Sequence, residues 1–484
     1  MKYIPVIGLE IHAELKTKSK MFCDCLNDPE EKEPNTNICP ICMGHPGTLP
    51  VINNKAVKFV VKTALSLNCQ IPESSRFDRK NYFYPDLPKA YQISQLYAPL
   101  SVKGFLSING NKIRIKEIHL EEDTGKLNHL QGENSSLVDF NRAGRPLMEL
   151  VTEPDIVSGE EARRFCEELR LIFRYLNVSE ANMEKGQMRC EVNISLGLNK
   201  KKLGTKVEIK NLNSFRAVER SVNYEIKRQA DLLDSDDKVI QETRGWDENK
   251  QVTFSQRTKE GAQDYRYFPE PDLPPLTNMS KVSAKASSEI PELPQAKRER
   301  FLDEYKIPQS DIDVLVSNKN LADYFEQVIS ELKTWLKIKS IGDKQALVKL
   351  TVNYLLTELQ KLLIDDGLKI EKCKISPENF AEFITLIEQK EISSSAAQTV
   401  LKEMLKTGAD PSNIVDDKEL KQVSDKDALS KIAKQVVSDN PKPVKDYKEG
   451  KESALQFLVG KVMAASKGQA NPEIARELLK KQLD

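Results

Sequence analysis

The chain has no net charge. Its 73 Lys and Arg residues balance 73 Asp and Glu residues, so overall charge points to neither a nucleic acid nor a membrane as partner, and any basic surface must be local. No apolar run approaches the length of a membrane span and mean hydropathy is negative, which argues against a helical membrane protein. Met1-Lys2-Tyr3 leads straight into an alternating segment with no signal peptide, so the expected location is the cytoplasm. There is no internal repeat and no G-x-x-x-x-G-K-S/T loop, which excludes a P-loop as a nucleotide site. At 484 residues the chain is too long for one ordinary core, and roughly three domains are expected.

Cysteine is sparse, and half of it is concentrated. Of eight cysteines, four form two close pairs, Cys23-Asp24-Cys25 and Cys39-Pro40-Ile41-Cys42. Cys69, Cys166, Cys190 and Cys373 are scattered and read as buried apolar thiols. In a reducing compartment the cluster suits a metal knuckle better than disulfides. Four thiolates match tetrahedral zinc and leave no open position, so a bound zinc would be structural. Four free thiols are the alternative.

What is present begins with Val6 to Leu15. Ile7, Leu9, Ile11, Ala13 and Leu15 alternate with Gly8, Glu10, His12 and Glu14, the period of a strand with one apolar and one polar face. The Glu-x-His-x-Glu row suits either a hydrated strand face or a set of metal ligands. Further strands are expected over 105–108 and 112–118, leading into His119-Leu120-Glu121-Glu122-Asp123-Thr124-Gly125-Lys126. Its three successive carboxylates fit a hydrated turn or a divalent-cation site. Met188 to Ser195 and Lys206 to Asn211 alternate again, placing Glu191, Asn193, Glu208 and Lys210 on polar faces. Between these lies Arg76 to Asp86, which mixes Arg and Lys with Tyr82, Phe83 and Tyr84. Cations hold phosphates and aromatics stack bases; a loop packed by its own rings is the alternative.

Helical spacing appears over 55–67, 160–176 and 215–233, and again over 321–336, 346–363 and 378–387, where the composition turns rich in Lys, Glu and Leu. The proline-rich stretch Asp264 to Pro275 can continue neither a helix nor a central strand. Expected boundaries are therefore near Glu289 and at the turn Lys406 to Pro411, giving domains 1–289, 290–407 and 408–484. The last is helical, and between Lys442 and Lys481 it holds nine Lys or Arg against five Asp or Glu.

The order of the blocks Val6–Leu15, Phe77–Gln95, His119–Lys126, Phe140–Asp155, Lys206–Phe215 and Asp264–Pro275 resembles the B-subunit family of the tRNA-dependent amidotransferases (GatB, of the GatCAB complex). The tail pattern from Gly450-Lys451 through Phe457 to Gly460, Gly468 and Pro472 is similar as well. The resemblance implies an α+β fold: a glutamine synthetase-like cradle, an all-helical domain and a small helical tail that contacts tRNA. It implies a carbon–nitrogen ligase that uses ATP and Mg²⁺ to activate the side-chain carboxylate of misacylated Glu-tRNA(Gln) or Asp-tRNA(Asn). Ammonia would come from the amidase chain of the complex, with its small third chain completing a heterotrimer. No Ser-Ser-Lys amidase arrangement is seen in this chain, consistent with a glutaminase on another chain. Zinc at Cys23, Cys25, Cys39 and Cys42 would be dispensable to that chemistry. The resemblance assigns catalytic and metal roles to Glu10, His12 and Glu122. Glu191 and Glu208 join them through shared polar faces, and Arg79, Lys80 and Lys210 would neutralise phosphate. A non-catalytic scaffold that binds tRNA for a partner, and a free-standing ligase for a small carboxylate, are the other readings.

Overall fold

The computed structural model describes all residues except 1, 131, 133, 199–202, 259–264, 340–343, 423–425, 467–469 and 484. Asp264 and Gly468 of the motif blocks therefore lie outside the described residues. The chain divides into two compact units, Met1–Leu293 and Pro294–Asp484.

In the first unit the elements are, in order, β1 (Ile4–Glu14), α1 (Asn54–Ser66), β2 (Asp78–Asn81), β3 (Tyr91–Ser94), β4 (Ser101–Ile108), β5 (Asn111–Glu122), β6 (Lys126–His129) and β7 (Ser136–Asp139). There follow β8 (Pro146–Thr152), α2 (Gly159–Tyr175), β9 (Met188–Gly197), β10 (Val207–Leu212), α3 (Phe215–Asp234), β11 (Glu242–Asp247), β12 (Val252–Thr258), β13 (Phe268–Pro269) and α4 (Met279–Ser287). Eight strands form one sheet in the order β12-β11-β10-β9-β1-β8-β5-β4. It is antiparallel except between β10 and β11. The small sheet β13-β2-β3 and the hairpin β6-β7 complete the unit.

The opening strand lies fourth from one edge of the large sheet, and its apolar face is the centre of the core. Ile7, Leu9, Ile11, Ala13 and Leu15 are almost wholly buried, in one cluster with Val57, Val60 and Val61 of α1, Phe165 and Leu169 of α2, and Val218 and Val222 of α3. A sheet with helices on one face leaves the other available for polar side chains. The helices start where side chains can cap them: Asn53 accepts from Lys55 N and Ala56 N, Ser158 from Glu161 N, and Ser214 from Ala217 N.

The expected turn at 119–126 is not a hydrated turn. β5 continues to Glu122, and His119, Glu121, Glu122 and Asp123 are all buried. Each carboxylate finds a partner there, which is the condition for burying a charge. Ser94 Oγ donates to Glu121 at 3.0 Å, Ile93 N to Glu122 at 3.0 Å, and Arg189 to Asp123 at 3.1 Å.

The second unit is helical throughout its described secondary structure apart from an isolated bridge between Ile392 and Lys421. The stripe expected over 346–363 is broken by a π-helical turn, Tyr354–Leu359, between Lys344–Asn353 and Gln360–Asp365. Gly408 ends the helix Ser394–Thr407 in the left-handed conformation, φ +76°. Beyond it, Leu429, Leu455, Leu458, Val462 and Leu479 belong to a separate apolar cluster.

One glycine sets a close approach in the first unit. A Cβ on Gly104 of β4 would stand 2.2 Å from Cys69 Sγ and 2.7 Å from the Leu67 carbonyl oxygen. Gly104→Ala therefore forces α1's exit away from the sheet. We expect it to cost about 1–3 kcal/mol, read as a lower urea midpoint for the first unit's unfolding.

Candidate active site and metal centre

Alternation sends Glu10 and His12 to the polar face of β1, and strand register supplies their neighbours. His12 lies opposite Glu149 of β8, Glu149 opposite His119 of β5, and Glu10 opposite Glu191 of β9. Directly opposed residues share a face and touch. The result is a row of acids and imidazoles across four adjacent strands, extended by Glu208 on β10, opposite Asn193.

The contacts are short. His119 Nε2 is 2.8 Å from Glu149 Oε2, and His12 Nε2 is 3.3 Å from the same oxygen and 3.5 Å from Glu121 Oε1. Lys210 Nζ lies 2.7 Å from Glu191 and 3.8 Å from Glu208. Thr243 Oγ1 donates to Glu208 at 2.7 Å. Three overlapping sets have ligand atoms within 4.8 Å of one another: Glu10, His12 and Glu149; His119, Glu121 and Glu149; Glu10, Glu191 and Glu208.

The electrostatics show how tightly these charges are held. Burial, then the charges of Glu149 and Glu191, push Glu10 up to about 7. Burial opposes a charged His12, yet Glu149 and Glu121 outweigh it and hold the imidazole well above its ordinary range. Burial likewise opposes an ionised Glu149, but His119 and His12 keep it well below the usual carboxylate range. Lys80, on β2, is also buried against its charge and is held ionised by Glu121 and Glu149. Its Nζ sits over the rings of Tyr265 at 5.1 Å and Tyr82 at 5.9 Å. The Nδ1 of His119 is buried without a hydrogen-bond partner. A row of hard oxygen donors with imidazoles, one acid driven toward neutrality by burial and by its neighbours, fits a divalent cation.

Of the residues expected in the site, Glu10, His12, Glu191, Glu208, Lys210 and Lys80 come together. Glu122 does not. It shares the parity of Ile118 and Leu120, and its carboxylate is taken by the Lys89 ammonium and the Ile93 N–H. Its neighbour Glu121 has the parity of His119 and faces the row. Arg79 is also engaged: Glu270 accepts two hydrogen bonds from it at 2.7 and 2.8 Å, and Asp272 a third at 3.1 Å. His119, Glu121 and Glu149 are the members of the row that sequence reasoning missed. Their signals are odd parity for 119 and 121, and one acid within the otherwise apolar run Leu147-Met148-Glu149-Leu150-Val151.

The four knuckle cysteines also meet. Their sulfurs lie within 4.8 Å of one another and none is in a disulfide. The Cys42 thiol is held down, to about 4, by the hydrogen bond from Cys23 and, more weakly, by the cation of Lys20. Lys20 Nζ lies 3.8 Å from Cys42 Sγ, and the whole side chain is buried. Four sulfurs this close together, one of them held as a thiolate, fit a structural tetrahedral metal.

Residues 5–284, which carry this sheet and row, match the family model of the GatB/GatE catalytic domain, and residues 336–483 match the GatB domain model. The chain belongs to the GatB family. It is 49% identical to the B subunit of the aspartyl/glutamyl-tRNA(Asn/Gln) amidotransferase of Caldicellulosiruptor saccharolyticus and 46% identical to that of Thermotoga maritima, each over the full length of both chains. The corresponding protein of Caldanaerobacter subterraneus subsp. tengcongensis is 47% identical over the same extent.

The raised Glu10 sets a pH dependence. Its folded value lies above the unfolded one, so the metal-free protein binds an extra proton between about pH 4.5 and 7. Stability is lost as pH rises through that window. Glu10→Gln is therefore expected to stabilise the metal-free chain at pH 8 by about 1–3 kcal/mol, with the gain vanishing near pH 4.5. Chemical denaturation of both proteins across pH 4.5–8 checks it.

Proposed function

We propose that this chain is the activating component of a three-chain, tRNA-dependent amidotransferase in the cytoplasm. It would phosphorylate the side-chain carboxylate of glutamate or aspartate carried on a non-cognate tRNA, with ATP as donor. Ammonia from a partner amidase would then attack the acyl phosphate, forming the amide and releasing phosphate. A small third chain completes the assembly. The observation that carries this reading is the polar row Glu10–His12–Glu149–His119–Glu121, within the segment that matches the catalytic-domain family. A tRNA-binding scaffold would have no need to bury so many acids on one face.

Mg²⁺, when bound, would draw phosphate oxygens and the substrate carboxylate together and offset their repulsion. Glu10, His12, Glu121, Glu149 and His119 are the residues proposed to hold it, with Glu191 and Glu208 as further oxygen donors. Lys80 stays charged beside them and would neutralise a phosphoryl oxygen as negative charge moves toward the leaving group. Lys210 orients Glu191 and Glu208. Glu122 is proposed to act from the opposite face, fixing Lys89 and the β3 backbone, and Arg79 to brace the Glu270–Asp272 loop rather than to touch phosphate.

The proposed domain division is a cradle to 289, a helical domain over 290–407 and a tail over 408–484. The basic surplus at 442–481 and the separate apolar cluster there support a tail that folds around its own core and meets tRNA phosphates. No helix among the described residues is long and apolar enough to cross a membrane.

Glu149→Gln removes one negative charge shared by both histidines. In the assembled heterotrimer it should lower ammonia-dependent amidation at least about 100-fold, while glutamine hydrolysis by the partner amidase persists. Turnover within a few-fold of the parent would move the active centre off this row. The knuckle gives a separate test. Protein purified under reducing conditions without chelator should contain close to one zinc, and Cys42→Ser should lose it and lower the first unit's melting temperature. Absence of zinc from the parent would exclude the assignment.

A further inference from the structure

Part of one sequence motif has no place in the chemistry above. Lys80 and Tyr82 belong to the site's wall, but the next two residues turn away from the core: Phe83 is 82% exposed and Tyr84 58%. Large aromatic rings so exposed side by side call for a partner.

The rings form a series. Lys80, in the site's wall, holds its ammonium 5.1 Å from the centre of the Tyr265 ring. Tyr265 meets Tyr267 edge-on at 6.2 Å and Tyr82 at 5.9 Å. Phe83 and Tyr84 follow Tyr82 directly in the chain. The short loop that bears them is fastened at both ends. Asn81 N donates to the Tyr265 carbonyl at 3.0 Å. Beyond the rings, the Asp86 carbonyl accepts from Gly125 N at 2.8 Å, the Asp86 carboxylate accepts from Thr124 Oγ1 at 3.1 Å, and Leu87 is buried. The exposed rings therefore stand on a tethered ledge, and a ligand that stacks on them has little chain to order.

We propose that Phe83 and Tyr84 form a stacking platform for the base of the nucleotide that carries the amino acid. This rests on the reading of the substrate as an aminoacylated RNA end. The reacting carboxylate is only an amino-acid side chain, an ester and a ribose away from that base. The base must then come to rest about 10 Å from the reacting carboxylate, and Phe83 stands three residues, at most about 10 Å of extended chain, from Lys80 in the site's wall. Unpaired terminal bases expose their π faces, and aromatic side chains are the usual means of holding them.

The test uses the full heterotrimer with free ammonia and charged tRNA. Phe83→Ala with Tyr84→Ala should raise KM for charged tRNA by about 5- to 100-fold, the range expected for one lost stack, with the effect falling on KM rather than kcat. Phe83→Trp should retain parental KM. Charged tRNA lacking the terminal base should bind the parent more weakly and be insensitive to the double substitution. Unchanged KM, or an equal further loss with the abasic RNA, overturns the proposal. So does dissociation of the heterotrimer on gel filtration with ammonia-driven KM intact, which would make the ledge a contact between the protein chains. A parent enzyme that forms no amide from charged tRNA would instead refute the substrate reading itself.

Discussion

The structure depends on the register of β1 between β8 and β9. One alternating strand buries Ile7, Leu9, Ile11 and Ala13 beneath three helices, and that same alternation points Glu10 and His12 the other way. Because side-chain direction has a period of two, a slip of one residue would bury both polar groups and expose the core. The hydrophobic term that folds the unit is thus what aligns the acids. Such acids would not be buried together unaided: burial first, and then the charges of Glu149 and Glu191, displace Glu10 toward neutrality. Apolar burial on the far face of the sheet outweighs their repulsion, and His12, His119, Lys80 and Lys210 absorb much of it.

The same logic separates what was legible in the sequence from what was not. Strands and helices with clean periodicity could be read directly, β1, α2 and α3 to within about two residues. The family could be read from the order of long motif blocks. The site was read by region and only partly by residue. Glu122 was chosen over Glu121 because His119-Leu120-Glu121-Glu122 reads as a turn until β5 is seen to run through it. Once it is a strand, 119 and 121 must face together and 122 must turn away. The partners of Arg79 were out of reach for a different reason. Glu270 and Asp272 lie nearly two hundred residues along the chain, a distance over which no local pattern reports.

The knuckle is a smaller instance of the same constraint. Local spacing brings each pair of sulfurs together, but bringing the pairs to one another takes the whole loop between β1 and α1. Lys20 is buried against this quartet, close to the Phe140 carbonyl at 3.3 Å. A buried ammonium is costly unless negative charge lies nearby, so the Cys42 thiolate and the lysine each make the other's position tolerable.

The spread of the acid row along the chain has a temporal side. Its members enter at Glu10 and His12, then His119 and Glu121, then Glu149, and finally Glu191 and Glu208. Synthesis runs from the N-terminus, and non-local strand pairs form slowly because the intervening chain must first be closed. A ribosome-bound chain that has not yet reached β10 holds an incomplete row however well its first strands pair. The row therefore comes into being only when the large sheet is essentially whole, so a half-made chain presents only a fragment of it.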